Sequence, residues 1–146
     1  MTVGKICSRE VDTACPEESV FTIARRMHAR KVGTLVVINA NRDPIGMVTD
    51  RDLSMRVIAA GGDPTRMTVR EVMTPRPATV HVDTDIHDTI GVMRTNRCRR
   101  IAVVDCLGHL VGLLSLDDIL TRISQEFQLI GELIREESPQ SLAETR

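Results

Sequence analysis

The 146-residue chain contains two aromatic side chains, Phe21 and Phe127, with no tryptophan and no tyrosine. Stacking platforms for single-stranded nucleic acid are therefore nearly unavailable. An excess of positive charge is missing too: nineteen Lys and Arg stand against twenty Asp and Glu, a formal net charge of −1. Phosphate backbones require a broad basic surface, so no nucleic-acid partner is expected. No stretch approaches the roughly 18 apolar residues of a membrane span. The opening MTVGKICSRE lacks an apolar signal core, and no lipidation motif is present. A cytoplasmic protein with no membrane partner is the expectation. Cys7, Cys15, Cys98 and Cys106 form no C-x-x-C pair, and the four histidines form no H-x3-H pair. No metal site is expected on that spacing. The thiols are expected to be buried; a redox role for Cys98 would need a lowered thiol pKa.

What the sequence does contain is a repetition. Residues 46–52 read GMVTDRD and residues 112–118 read GLLSLDD, an offset of 66. The same offset aligns Thr2–Val57 with Thr68–Ile123 without a gap. It superposes eight identical residues: Thr2/Thr68, Val3/Val69, Thr13/Thr79, Met27/Met93, Val37/Val103, Gly46/Gly112, Asp52/Asp118 and Arg56/Arg122. Apolar and turn positions agree between them, so the chain is a tandem of two similar units.

Each unit predicts the same order of elements. Thr68-Val-Arg-Glu71 has the form of a capping box opening a short helix, and Thr2 begins its counterpart. Extended stretches follow around Val11–Cys15 and Pro77–Val82. Ser19 and Asp85 are predicted N-caps. The helices behind them carry apolar stripes, Val20, Ile23, Ala24 and Met27 in the first and Ile86, Ile90 and Met93 in the second. Leu35–Ile38 and Ile45–Thr49, then Ile101–Val104 and Leu110–Ser115, are predicted hairpins, each leading into a further helix. The predicted fold is α/β: two units of β-α-β-β-α, each with a short N-terminal helix, packed as a pseudo-twofold module. The boundaries are residues 2–60 for the first unit, 61–67 for a linker and 68–123 for the second. Residues 124–136 extend the last helix, and 137–146 form a polar tail. A single unit of this size would bury too little surface alone, which places the interesting clefts between the halves.

The repeated pattern G-h-h-[ST]-x-x-D admits two readings. In the first, Thr49 and Asp52, or Ser115 and Asp118, simply satisfy the unpaired N–H groups of a helix start. In the second, the free donors and positive end of the helix attract a phosphate. The hydroxyl adds a donor, and the aspartate accepts from a ribose.

The doubled unit, with this pattern closing each hairpin, resembles a tandem CBS-domain pair, or Bateman module. Arg30-Lys-Val-Gly-Thr-Leu-Val-Val-Ile38, Asn96-Arg-Cys-Arg-Arg-Ile-Ala-Val-Val-Asp105 and Thr68-Val-Arg-Glu-Val-Met-Thr74 are similar to further marks of that family, across residues 2–123. The likeness is to free-standing bacterial two-CBS proteins related to IMP dehydrogenase, without room for a catalytic barrel. It implies a regulatory ligand containing adenosine: AMP, ADP or ATP first, NAD or S-adenosylmethionine as alternatives, and no obligatory cofactor. By resemblance, Thr49 and Ser115 would serve phosphate, and Asp52 and Asp118 ribose. Adenine would lie against Val32, Gly33 and Thr34 or Cys98, Arg99 and Arg100, near Thr13 or Thr79, with Arg97, Arg99 and Arg100 as phosphate partners. Two departures stand out: Val36 and Ala102 occupy positions where proline is frequent, and Asn39 replaces an aspartate that Asp105 keeps.

Ile119, Leu120, Ile123, Phe127, Ile130, Leu133 and Ile134 continue an apolar stripe past the second unit. It either folds back over the module or pairs two chains; a homodimer is the expectation, with the downstream protein partner unidentified. No catalytic constellation or phosphate loop is present. The competing functions are a non-catalytic adenosyl-ligand sensor and an assembly module with vestigial clefts.

Overall fold

The computed structural model of the protein describes residues 1–137; residues 138–146 of the expected polar tail lie outside the described residues. A 3-10 turn, Val3–Lys5, leads into β1 (Thr13–Ala14), α1 (Val20–Arg30), β2 (Thr34–Ile38), β3 (Pro44–Thr49) and α2 (Asp50–Leu53), which continues as a π-helical turn, Ser54–Ile58. The second half brings α3 (Val69–Val72), β4 (Thr74–Pro75), β5 (Thr79–His81), α4 (Ile86–Asn96), β6 (Arg100–Val104), β7 (Leu110–Ser115) and α5 (Leu116–Glu137). Three elements repeat residue for residue at the offset of 66: α1 with α4, β2 with β6, and β3 with β7. Even the register irregularity recurs, at Val37/Ile38 in one hairpin and Val103/Val104 in the other.

The predicted caps form. Ser19 Oγ accepts from the Thr22 N–H at 3.1 Å, and the Asp85 carboxylate accepts from the His87 N–H at 2.8 Å. Helices α1 and α4 then end on a left-handed residue, Lys31 (φ 56°) and Arg97 (φ 51°). The hairpin connections use one device with two side chains. Asn39 Oδ1 accepts from the N–H groups of Asn41 and Asp43, and Asp105 Oδ1 from those of Leu107 and His109. Asn in place of Asp thus leaves the turn intact, because only an acceptor oxygen is required.

Two sheets result, ordered β1-β2-β3-β4 and β5-β6-β7. Within each, the strand before the long helix pairs in parallel with the strand after it, and the hairpin is antiparallel. The leading segments cross over. Val69, Val72 and Met73, from the start of the second repeat, sit in the core made by α1, β2 and β3. β4 adds to that sheet by pairing with β3. Reciprocally, Val3 is buried in the core of β5, β6, β7 and α4, and Ser8 bridges to Leu113 of β7.

The crossing explains the repeated pattern's glycines in steric terms. A Cβ on Gly46 would lie 2.3 Å from Met73 Sδ, and one on Gly112 would lie 2.6 Å from Cys7 Sγ and 3.0 Å from the Ser8 carbonyl oxygen. Cys7 and Met73 are themselves equivalent positions, so each glycine makes room for the leading segment of the other repeat. Between the two sheets lies a third cluster of buried residues, Val36, Ala102 and Leu110, with Met47 and Leu113 packed against it. Val36 pairs with Ala102, and Met47 with Leu113, under the offset. The pseudo-twofold axis therefore passes through this seam.

Two expectations change. In α4 the buried position is Thr89, the counterpart of Ile23, while Ile90 is exposed. The threonine enters the core because its hydroxyl donates to the Asp85 carbonyl at 2.9 Å, leaving its methyl group to pack. The thiols are not uniformly buried either: Cys15 and Cys106 are exposed, Cys7 and Cys98 half-buried. Beyond Ile119, α5 leaves the module; residues 120–130 are all exposed, so the stripe does not fold back over its own repeats. Among the described residues no helix is long and apolar enough to cross a membrane.

Candidate functional site

Each G-h-h-[ST]-x-x-D segment ends a central strand and starts the following helix. In the first, the Thr49 N–H donates to Asp52 Oδ2 at 2.8 Å and the Asp52 N–H donates to Thr49 Oγ1 at 3.1 Å. In the second, the Ser115 N–H donates to Asp118 Oδ2 at 2.8 Å and the Asp118 N–H donates to Ser115 Oγ at 3.0 Å. These are full reciprocal capping boxes. Capping does not exhaust either pair. A hydroxyl that accepts one bond still has its proton to donate, and a carboxylate has about four lone-pair sites. Among the described residues Asp52 Oδ1 has only Arg56, 3.8 Å away. Among the described residues Asp118 Oδ1 has no hydrogen-bond or ion-pair partner.

Both pairs open onto grooves at the seam. The first groove, of about 350 Å3, is lined by Thr49 and Asp52, by Arg76 of the leading segment that crosses to their sheet, and, across the seam, by Arg97, Cys98 and Arg100. The second, of about 300 Å3, is lined by Ser115 and Asp118 and, across the seam, by Glu10, Asp12, Val32, Gly33 and Thr34. These volumes fall at the low end of small-molecule sites. The offset maps one lining onto the other: Thr74 on Ser8, Arg76 on Glu10, Pro77 on Val11, Ala78 on Asp12, Arg100 on Thr34. Arg100 also reaches the second groove, and so borders both.

Of the residues singled out from sequence, Thr49, Asp52, Cys98 and Arg100 come together in the first groove, with Arg97 beside them. Val32, Gly33, Thr34, Ser115 and Asp118 come together in the second. Thr13 and Thr79 do not join them. Thr13 pairs with Val36 on β1 and gives its carbonyl to Arg26, beside a separate shallow hollow; Thr79 pairs with Ala102 on β5. Arg99 turns away from the groove, 3.8 Å from Asp117, because side chains alternate along the strand approach. Residues that the motif left out are Ser8, Glu10, Asp12, Thr74, Arg76 and Asn96. Except for Asn96, which ends α4, their signal was the crossing of the leading segments, which single-unit patterns do not carry.

One atom in the second groove lacks what burial demands. Thr34 is 7% exposed, and its Oγ1 has no hydrogen-bond partner. A buried hydroxyl without a partner costs about 1–3 kcal/mol, a deficit that a polar ligand atom in the groove would remove. In the first groove, burial pushes the Cys98 thiol up from its ordinary pKa. A raised pKa leaves little thiolate at neutral pH, so the side chain is a weak nucleophile.

A duplicated α/β module with one ligand-sized groove on each side of its seam defines the class. The chain belongs to the CBS-domain family, whose model matches residues 3–58 and 69–125. The Methanopyrus kandleri protein MK0525 is 32% identical over 120 residues, 82% of this chain and 61% of that one. The inosine-5'-monophosphate dehydrogenase of Thermoplasma acidophilum is 34% identical over 117 residues, 80% of this chain but 22% of the enzyme. The chain thus spans under two thirds of either relative. Among solved structures, that of CBSX2 in complex with AMP is 26% identical, with a TM-score of 0.71, 85% of this chain and 96% of that chain being covered.

Proposed function

We propose that the protein is a non-catalytic sensor that binds adenosine-containing ligands in its two seam grooves. The observation that carries this reading is the crosswise constellation. Each hydroxyl–carboxylate pair from one repeat faces, over an open groove, the segment preceding the central strand of the other. Thr49 and Ser115 donate to phosphate or its neighbouring oxygen, and Asp52 and Asp118 accept from ribose hydroxyls. Adenine rests on Val32–Thr34 in one groove and on the Cys98–Arg100 segment in the other. The capping boxes serve this role, since they lock both rotamers before a ligand arrives and lower the ordering cost of binding. The unpartnered Thr34 hydroxyl and the AMP complex of CBSX2 support the same reading. AMP, ADP and ATP are the first candidates, with NAD and S-adenosylmethionine behind them.

A second reading is favoured by α5. Leu120, Ile123, Phe127, Ile130 and Leu133 expose an apolar face on a helix that has left the module, and such a face fits the same helix of a second copy. In the proposed homodimer the sensor and assembly roles coexist; in the alternative only assembly remains. Four free cysteines, two of them exposed, accord with a reducing cytoplasmic setting.

A thermal-shift panel of AMP, ADP, ATP, NAD and S-adenosylmethionine separates the two. A ligand at 100 times its Kd stabilises the fold by about 2.7 kcal/mol. If no member of the panel raises the melting temperature, the sensor reading falls and assembly stands alone.

A further inference from the structure

The duplication supplies an internal control: equivalent positions make up most of both linings, so differences at those positions are differences of ligand. At matched positions the first groove has Arg76, Ala78 and Arg100 where the second has Glu10, Asp12 and Thr34. Arg97 adds a further cation to the first groove alone. Three arginines there face one aspartate, Asp52; three carboxylates in the second, Glu10, Asp12 and Asp118, face Arg100. Among the described residues the side chains of Arg76, Arg97 and Arg100 make no hydrogen bond or ion pair, so none is committed to the fold. Arg30 hydrogen-bonds Asp12 at 2.8 Å and also feels the charge of Glu10, but Asp118 has no cationic partner among the described residues.

From this we infer that the two grooves are built for different adenosyl ligands: the Thr49/Asp52 groove takes a nucleoside polyphosphate, and the Ser115/Asp118 groove takes an uncharged or cationic adenosyl group and rejects polyphosphate. Guanidinium groups bind phosphate in planar, bidentate fashion, and a polyphosphate needs more than one of them. In the second groove a polyphosphate tail would meet Glu10 where the first groove offers Arg76. There the Thr34 hydroxyl, buried and unpartnered, provides instead a neutral polar contact. Discrimination of this kind works by repulsion as much as attraction. The inference rests on the adenosine-binding reading and sharpens it.

The test uses the full chain, with ATP and adenosine titrated calorimetrically at fixed ionic strength. Wild type is expected to bind one ATP per chain tightly. Arg76→Glu is expected to weaken that event at least about tenfold, the loss of a charge-assisted contact, while adenosine binding stays within about twofold. Asp118→Ala is expected to leave ATP binding intact and remove adenosine binding from the second groove. Glu10→Arg is expected to create a second ATP site; being a gain, it does not depend on the fold tolerating the loss in Arg76→Glu. Binding of ATP to both grooves of the wild type with similar affinity, or loss of ATP binding in Asp118→Ala, overturns the inference and leaves the adenosine reading standing. No binding of either compound to the wild type overturns both.

Discussion

Asp43 and His109 hold the same place in the two repeats, 66 residues apart, and they touch: His109 Nδ1 lies 3.2 Å from Asp43 Oδ1. Contact between equivalent positions occurs only on the axis that relates them. The Leu110 N–H donates to the Arg42 carbonyl at 2.8 Å beside the pair. A histidine on one side and an aspartate on the other turns what symmetry would make a like-with-like contact into a complementary one. The two hairpins are thereby pinned at their tips, and the grooves flank a seam that is fixed in register.

Close approach at the sheet glycines should be visible in stability. Gly112→Ala places a methyl against both a side chain and a backbone oxygen, whereas Gly46→Ala meets Met73, whose thioether can move aside. Gly112→Ala is expected to cost about 1–3 kcal/mol, the usual range for overpacking, and Gly46→Ala less. Urea denaturation midpoints measure both. Equal, negligible losses would mean the leading segments do not pack as described.

Capping and ligand binding can be pulled apart at Asp118. In Asp118→Asn the amide oxygen still accepts from the Ser115 N–H and both bonds of the capping box are kept, so the expected loss of stability is under about 1 kcal/mol. The amide nitrogen, a donor, replaces an oxygen that would accept from ribose, and binding in the second groove is expected to weaken at least about tenfold. Calorimetric binding beside a melting curve reads both. A variant that binds normally would remove Asp118 from the ligand's partners.

Acid sensitivity should trace in part to Glu18. Its carboxylate accepts from the Arg26 guanidinium at 2.9 Å and from the Cys15 N–H at 2.8 Å. Arg26, the larger influence, holds the carboxyl below its ordinary range, against an opposing push from burial. A carboxyl whose pKa is lower folded than unfolded stabilises the fold fully above about pH 4.3, and that stabilisation is lost as pH falls through the lowered value. Glu18→Gln is therefore expected to flatten the decline in stability below pH 5, measured by urea midpoints between pH 3 and 7. An unchanged acid limb would assign the decline to other carboxyls.

Self-association should respond to the exposed face of α5. Phe127 is 70% exposed there, far from either groove lining. Phe127→Asp is expected to shift the sedimenting species from two chains to one while leaving helical circular dichroism and ligand binding unaltered. A wild type that sediments as a monomer at tens of micromolar would dismiss the proposed pairing.

Much of this was legible from the chain alone, for a physical reason: the offset carries two noisy copies of every signal. Ser19 with Asp85, and Asn39 with Asp105, are chemically different residues doing one task, and their alignment located helix starts and turns closely. Hydroxyl and aspartate could be paired because a capping box is local, its two members three positions apart. What escaped was non-local. Arg76 and Glu10 line grooves only because leading segments cross to the other sheet, a tertiary fact with no sequence period. Thr89 displaced Ile90 from the core because a threonine whose hydroxyl is returned to its own helix backbone packs there almost as a valine. Thr13 and Thr79, identical under the offset, line neither groove.

The exchanged leading segments bear on how such a molecule could have arisen. A solitary ancestral unit would have had its first valine stranded in water and a vacant slot where a neighbour's valine belonged. Two separate units could complete both only by exchanging those segments, and joining them in one chain replaces a bimolecular encounter with a tether. Severing that tether between Gly62 and Asp63 should restore the older condition: two fragments, each incomplete, whose folding together depends on how concentrated they are.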